Sequence, residues 1–119
     1  MDTSRDREVA TVTTTIATRA EGQALARAIL DARLAACVQL EEGLTSCYRW
    51  EGKVCEDAEV RLTIKTVPAC VPALRELFRR AHPYALPQFV AWTGEGSEAY
   101  AAWVREEVNP ATPGQIPAR

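Results

Sequence analysis

CVQLEEGLTSCYRWEGKVCEDAEVRLTIKT, residues 37–66, decides the fold. Two extended runs flank Glu51-Gly52, a turn signal. In the first run Val38, Leu40, Leu44, Tyr48 and Trp50 share one parity and are expected to face one way. In the second run the apolar set is Val54, Ala58, Val60, Leu62 and Ile64. Together they read as a long β-hairpin. The register carries a conflict. A two-residue turn pairs Trp50 with Lys53, and so even positions with odd ones, yet both apolar sets are even-numbered. One extra residue in one arm, a β-bulge near Glu42-Gly43, restores the match. A three-residue turn does the same. The bulge is preferred, because Gly43 accepts the backbone it requires. It puts Cys47 and Cys55 on opposite faces, whereas the three-residue turn sets them directly opposite each other.

On the N-terminal side, VATVTTTI (9–16) is β-branched and suits a buried strand. Thr18 and Glu21 fit a capping box. Leu25, Ala28, Ile29, Ala32 and Ala36 follow at helical spacing, with alanines that let the helix lie close to a sheet. After the hairpin, Thr66 is expected to cap a second helix, with Pro68 in its first turn and Val71, Leu74, Leu77, Phe78 and Ala81 as its apolar stripe. Pro83 ends it. PQFVAWTG (87–94) reads as a fourth strand. Ser97 opens a last helix, with Tyr100, Trp103, Val104 and Val108 on one face and Asn109-Pro110 as its stop. The order is βαββαβ plus a C-terminal helix, the α+β pattern of the ferredoxin-like split βαβ unit. The two main helices cover one sheet face. The other needs cover that the third helix is too short to give.

Each hairpin arm of roughly 13 residues extends about 44 Å at ~3.4 Å per residue. A compact domain of this size is roughly 34 Å across. The arms overhang the body and carry Tyr48, Arg49 and Trp50 at their tip. Exposed apolar surface and an unpaired strand edge both point to a second subunit, so a homo-oligomer is expected.

The chain has 119 residues, 47% hydrophobic and 25% charged, with a formal net charge of -2. It reads as one domain, 1–119, with a flexible N-terminus (1–7) and a proline-rich tail (109–119). The charge argues against a nucleic-acid footprint. No apolar run approaches a membrane span. The charged start, MDTSRDRE, has no apolar signal region, so cytoplasmic residence is expected. The four cysteines, Cys37, Cys47, Cys55 and Cys70, form no CxxC pair, and free thiols are expected in a reducing compartment.

RLAACVQL (33–40), TSCYRWEGKV (45–54), EVRLTIKT (59–66) and HPYALPQFVAW (82–92) resemble the signature blocks of the CutA divalent-cation-tolerance proteins. The likeness runs over residues 9–107, with YRWEGK and HPY as its most specific parts. It implies a ferredoxin-like protomer, like that of the nitrogen-regulatory signal-transduction trimers. It also implies a homotrimer whose hairpins extend the neighbours' sheets, and a link to tolerance of copper and other divalent metals, with no reaction attached. The family's positions fall here on Cys37, Trp50, Lys65, His82 and Tyr84. Two departures matter: Ala85 and Gln88 stand where the family often has acidic residues, which removes the obvious carboxylate partners for a cation. Gln39 replaces the usual asparagine.

His82 is the only histidine. As neutral imidazole it is a candidate ligand for copper or zinc, with the Cys37 thiolate as a soft partner for copper(I). It equally suits the end of the preceding helix, or an anion or small-molecule site. Lys65, between a strand and a helix start, is either an anion contact or a solvated lysine. Tyr84, between two prolines, is a packing residue or a hydroxyl donor into a cleft. Tyr48, Arg49 and Trp50 are interface candidates, with Trp50 as anchor. Cys70 reads as structural. With one histidine, no paired acid beside it and no glycine-rich phosphate loop, catalysis has little support. The leading expectation is a non-enzymatic cytoplasmic homotrimer that binds or responds to divalent metal, copper included. The alternative is a small-ligand signalling module holding an anion in an inter-subunit cleft near Lys65, His82 and Tyr84. A hydrolase or transferase using that cleft ranks third.

Overall fold

The computed structural model describes residues 4–110. A 3-10 turn, Ser4–Arg7, leads into β1 (Glu8–Ile16), α1 (Arg19–Asp31), β2 (Cys37–Trp50) and β3 (Lys53–Thr66). A second 3-10 turn, Pro68–Cys70, opens α2 (Val71–Ala81), followed by β4 (Val90–Glu95) and α3 (Glu98–Glu107). The strands form one sheet in the order β2-β3-β1-β4, all neighbours antiparallel. This is the expected ferredoxin-like arrangement with a C-terminal helix.

Alternation builds the core. Val12, Ile16, Leu62 and Ile64 point from β1 and β3 to the helix side and are fully buried with Ile29, Leu34 and Leu74. Pairing Val12 with Ile64 and Leu40 with Leu62 keeps even positions on that side. The odd positions, with Val90 and Trp92 registered against Thr13 and Thr11, form the second face. Val90 and Trp92 are each 52% exposed, so this face lacks apolar cover among the described residues.

The hairpin turns at Glu51-Gly52, where Glu51 (φ 49) and Gly52 (φ 78) both take left-handed backbone and Trp50 pairs with Lys53. The register then slips between Glu41 and Leu44, with Gly43 at φ 82. The bulge is therefore where the parity conflict demanded it. It also corrects one expectation. Val38 and Leu40 lie on the helix side, but Leu44, Tyr48 and Trp50 pair with odd residues of β3 and face the other way. Cys47 pairs with Glu56 and Tyr48 with Cys55, so the two thiols occupy opposite faces. All four cysteines are free. Beyond the Ile16–Val60 pair the ribbon has no third strand among the described residues, which measure 52 × 30 × 24 Å.

Several local expectations change. Thr18 caps α1, accepting the Glu21 N–H at 3.2 Å, while its hydroxyl donates to the Glu21 carboxylate at 3.1 Å. Helix α1 stops at Asp31, not near Ala36, because Arg33 takes φ 57. The Arg33 and Leu34 amides then close a Schellman motif onto Leu30 and Ile29. Gly22, more than the alanines, sets the approach to the sheet: a Cβ there would stand 3.1 Å from Leu40. Thr66 does not cap α2; it is buried and donates to the Leu34 carbonyl at 2.7 Å. Strand β4 starts at Val90 instead of residue 87, since Phe89 turns back to pack edge-on against Phe78 at 5.0 Å. On α3, Val104 and Val108 are buried, but Tyr100 and Trp103 remain 38% and 41% exposed. Residues 4–7, expected to be flexible, form the first 3-10 turn, and the Arg7 carbonyl accepts the Gly96 amide at 2.8 Å. At the other end, the Asn109 amide donates to the Arg33 carbonyl at 2.8 Å. The remainder of the expected flexible N-terminus, residues 1–3, and of the tail, residues 111–119, lies outside the described residues.

Candidate functional site

Helix α2 ends where Pro83 forbids its continuation, and His82 becomes the C-cap, its backbone extended at φ -78, ψ 132. His82 is 7% exposed. Nδ1 accepts the Tyr84 amide N–H at 3.1 Å. An amide can only donate, so Nδ1 carries the lone pair and the proton sits on Nε2. Nε2 lies 3.1 Å from the Thr15 carbonyl and 3.0 Å from the Thr14 hydroxyl. Both nitrogens are thus engaged. Burial lowers the His82 pKa from its ordinary value, against the opposing pull of the Thr15 carbonyl, Glu21 and Glu59, and the imidazole is neutral at pH 7. His82 closes α2 through its backbone N–H, which donates to the Phe78 carbonyl at 3.0 Å, while its neutral ring turns to the end of β1 and not to the helix carbonyls.

Two tyrosines bond carboxylates of β3, Tyr84 at the junction between body and ribbon and Tyr48 nearer the tip. Tyr84 donates its hydroxyl to Glu59 at 2.6 Å. Burial, then this carboxylate, pushes its pKa well above the ordinary tyrosine value. Tyr48 donates to Asp57 across the hairpin. That bond, ahead of the other causes, raises the Tyr48 pKa to about 12. Both phenols therefore stay protonated at neutral pH and act as donors to carboxylates.

The structure does not gather the remaining candidates around His82. Cys37 and Lys65 are register partners at the other end of the sheet, where Lys65 also pairs with Thr11. His82 meets β1 at Thr14 and Thr15. The separation along the strand is three to four residues, about 10–13 Å. Parity adds a second separation: Cys37 and Lys65 project from the open face, whereas the buried Thr14 hydroxyl that meets His82 projects from the helix face. Among the described residues, no three His, Cys, Asp or Glu side chains form a group able to hold a metal ion. Within one chain, then, Cys37 and His82 do not fit a shared metal. Cys37 is half-buried; Cys70 is fully buried, and burial raises its thiol pKa.

At the tip, Tyr48 and Trp50 are 42% and 46% exposed and share a face, while Arg49 pairs with Val54 on the opposite one. The sequence reading missed a cleft of about 380 Å³ beside α2, lined by Arg75, Phe78, Arg79, Tyr84, Ala85, Pro87 and Phe89. Its only sequence signal is the i, i+4 spacing of Arg75 and Arg79.

The family model described as CutA1 divalent ion tolerance protein matches residues 10–107. A Divalent-cation tolerance protein CutA of Thermus thermophilus is 42% identical over 93 residues, covering 77% of this chain and 90% of the relative. Human Protein CutA is 46% identical over 83 residues, covering 69% of this chain but 46% of the relative, so the match spans less than half of the human protein. Among solved structures, CutA1 from Oryza sativa superposes with a TM-score of 0.85 at 34% identity, over 91% of this chain and 100% of that one.

Proposed function

The chain belongs to the CutA1 divalent-ion-tolerance family, and from that premise we propose that it serves tolerance of divalent cations, copper among them, as a cytoplasmic homotrimer and not as an enzyme. The observation that carries the trimer is the unfinished sheet. Among the described residues, the ribbon arms Leu44–Trp50 and Lys53–Glu59 have no third strand. Val90, Trp92 and the Tyr48–Trp50 pair stand exposed on the open face, and Val54 stands exposed on the ribbon's other face. Apolar groups beside an unpaired edge are the pattern that strand addition from another copy relieves. Four free thiols suit a reducing compartment, and no helix among the described residues is long and apolar enough to cross a membrane.

For the metal, the half-buried Cys37 thiol on the open face is the soft donor this reading retains, with further ligands drawn from neighbouring chains. His82 joins only if its bonds to Tyr84 and Thr15 open. Sedimentation of the parent and Trp50→Ala tests the assembly. The parent is expected as a trimer, and the variant as a weaker one with a more concentration-dependent Tm. A parent that sediments as a folded monomer removes the proposal. Calorimetry with copper(I) and copper(II) on Cys37→Ser and His82→Ala tests the ligands: loss of affinity is expected in the first, and unchanged affinity in both discards them. The alternative, an anion held between subunits by Lys65, His82 and Tyr84, has less support, because one chain separates Lys65 from the other two.

A further inference from the structure

A line of aromatic rings runs from the buried His82 to the outer side of α2. His82 lies 5.5 Å from Phe78 and 5.0 Å from Tyr84, and Phe89 meets Phe78 edge-on at 5.0 Å. Where this line reaches the surface it floors the cleft of about 380 Å³, with Pro87 as part of the wall. Arg75 and Arg79 stand at the rim, one helical turn apart on the same face of α2. The Arg75 guanidinium lies 5.2 Å from the centre of the Phe89 ring, which holds the charge over the aromatic floor. Arg79 has Glu76 at 3.6 Å, an exposed i, i+3 pair that an incoming anion can replace at little cost. Among the described residues, no acidic side chain lines the cleft.

From this arrangement we propose that the cleft binds a planar aromatic anion: a flat ring against Phe89 and Pro87, over the buried Phe78, with its carboxylate or phosphate held between Arg75 and Arg79. A bare inorganic anion leaves the apolar floor unfilled. A neutral ring leaves both guanidinium groups unanswered. The volume lies within the range of small-molecule sites and suits one or two fused rings. The site goes beyond the cation-tolerance reading and does not depend on it. Of the residues in the earlier ligand set it shares only Tyr84, whose hydroxyl is already engaged by Glu59, so Tyr84 contributes its ring.

Calorimetry on the full chain in its native assembly, with naphthoate and naphthyl phosphate as probes, tests the site. Naphthyl methanol and inorganic phosphate are the controls. One site per chain is expected for the naphthyl anions, with both controls at least about tenfold weaker. A preference for either head group supports the site and tells a carboxylate ligand from a phosphate one. Arg75→Gln and Arg79→Gln, both at exposed positions, are each expected to weaken binding about tenfold while leaving Tm unchanged. Phe89→Leu is expected to weaken both anions alike. The proposal fails if neither naphthyl anion binds, if a control binds as tightly as the anions, or if the double arginine variant binds like the parent.

Discussion

The two halves of the hairpin use the same two strands and the same backbone ladder, yet live under different physics. In the base, β3 is flanked on both sides, and Val60, Leu62 and Ile64 are 5%, 0% and 0% exposed. In the ribbon beyond Val60 the strands have only each other among the described residues, and Val54 is 72% exposed. Backbone hydrogen bonds are present in both halves. Burial is present in one. A two-stranded ribbon is marginal in water by itself, so the base owes its order to its own chain, and the proposed neighbours would supply what the ribbon lacks.

The largest expected effect attacks this contrast directly. Ile64→Ala leaves a hole in a packed core and is expected to cost about 2–5 kcal/mol in urea denaturation. Val54→Ala is expected to cost less than about 0.5 kcal/mol, the usual size for an exposed position. A larger Val54 penalty that disappears on dilution would place that side chain under another copy and sharpen the contrast between the halves.

The junction comes next. The His82 loop clamps the end of β1 and, through Tyr84 and Glu59, the first unflanked turn of the ribbon. The folded pKa of His82 is depressed below its unfolded value. Below the unfolded pKa, near 6.5, the unfolded chain therefore binds more protons than the folded one. Stability contributed by the neutral ring is complete above about pH 6.5 and falls as pH drops toward the folded pKa, by at most about 1.4 kcal/mol per pH unit. The difference in urea midpoints between parent and His82→Gln, followed from neutral to mildly acid pH, isolates this slope. A parent no more acid-sensitive in that window than His82→Gln contradicts the buried neutral ring. Protonation sets an Nδ1–H against the Tyr84 N–H, so the loop should loosen first, visible as faster amide exchange at Tyr84.

The seam between the halves is Gly43. A Cβ there meets no other atom within 4 Å, so the cost of Gly43→Ala is backbone alone. At φ 82 it is expected to be about 1 kcal/mol. A much larger loss would show that the bulge, and with it the alignment of Leu40 on Leu62, slips when its hinge residue is changed.

This division also marks what the sequence made legible. Parity and turn chemistry are local, so the hairpin, the bulge at Gly43 and the caps Thr18 and Ser97 could be read directly; both caps accept the expected amides. Choices settled by distant chain could not. Thr66 had a helix start beside it, but the Leu34 carbonyl, 32 residues away, takes its hydroxyl. The end of α1 was hidden because Arg33, where a glycine would have been the signal, takes the left-handed conformation. Lys65 and His82 looked like neighbours in function, but strand parity put the sheet between them. The Arg75–Phe89 cleft needs a loop to fold back on a helix, and no spacing rule announces that.

A small gain is expected at the ribbon's far end. The turn needs left-handed backbone at both central residues, and Glu51 supplies it at φ 49 without the side chain that favours it. Asparagine tolerates this region and forms the preferred Asn-Gly pair with Gly52. Glu51→Asn is therefore expected to raise stability by about 0.5 kcal/mol, read as a small rise in Tm. The two halves then make different demands on the same substitution. If the ribbon is held only by its own turn and ladder, the gain appears in full and is independent of protein concentration. If neighbouring chains already fix the ribbon, they hold the strained turn in place, and most of the gain shows only at concentrations low enough to part the subunits. A loss of stability instead would mean that Glu51 makes a contact across subunits, and that the tip is part of the assembly and not merely its overhang.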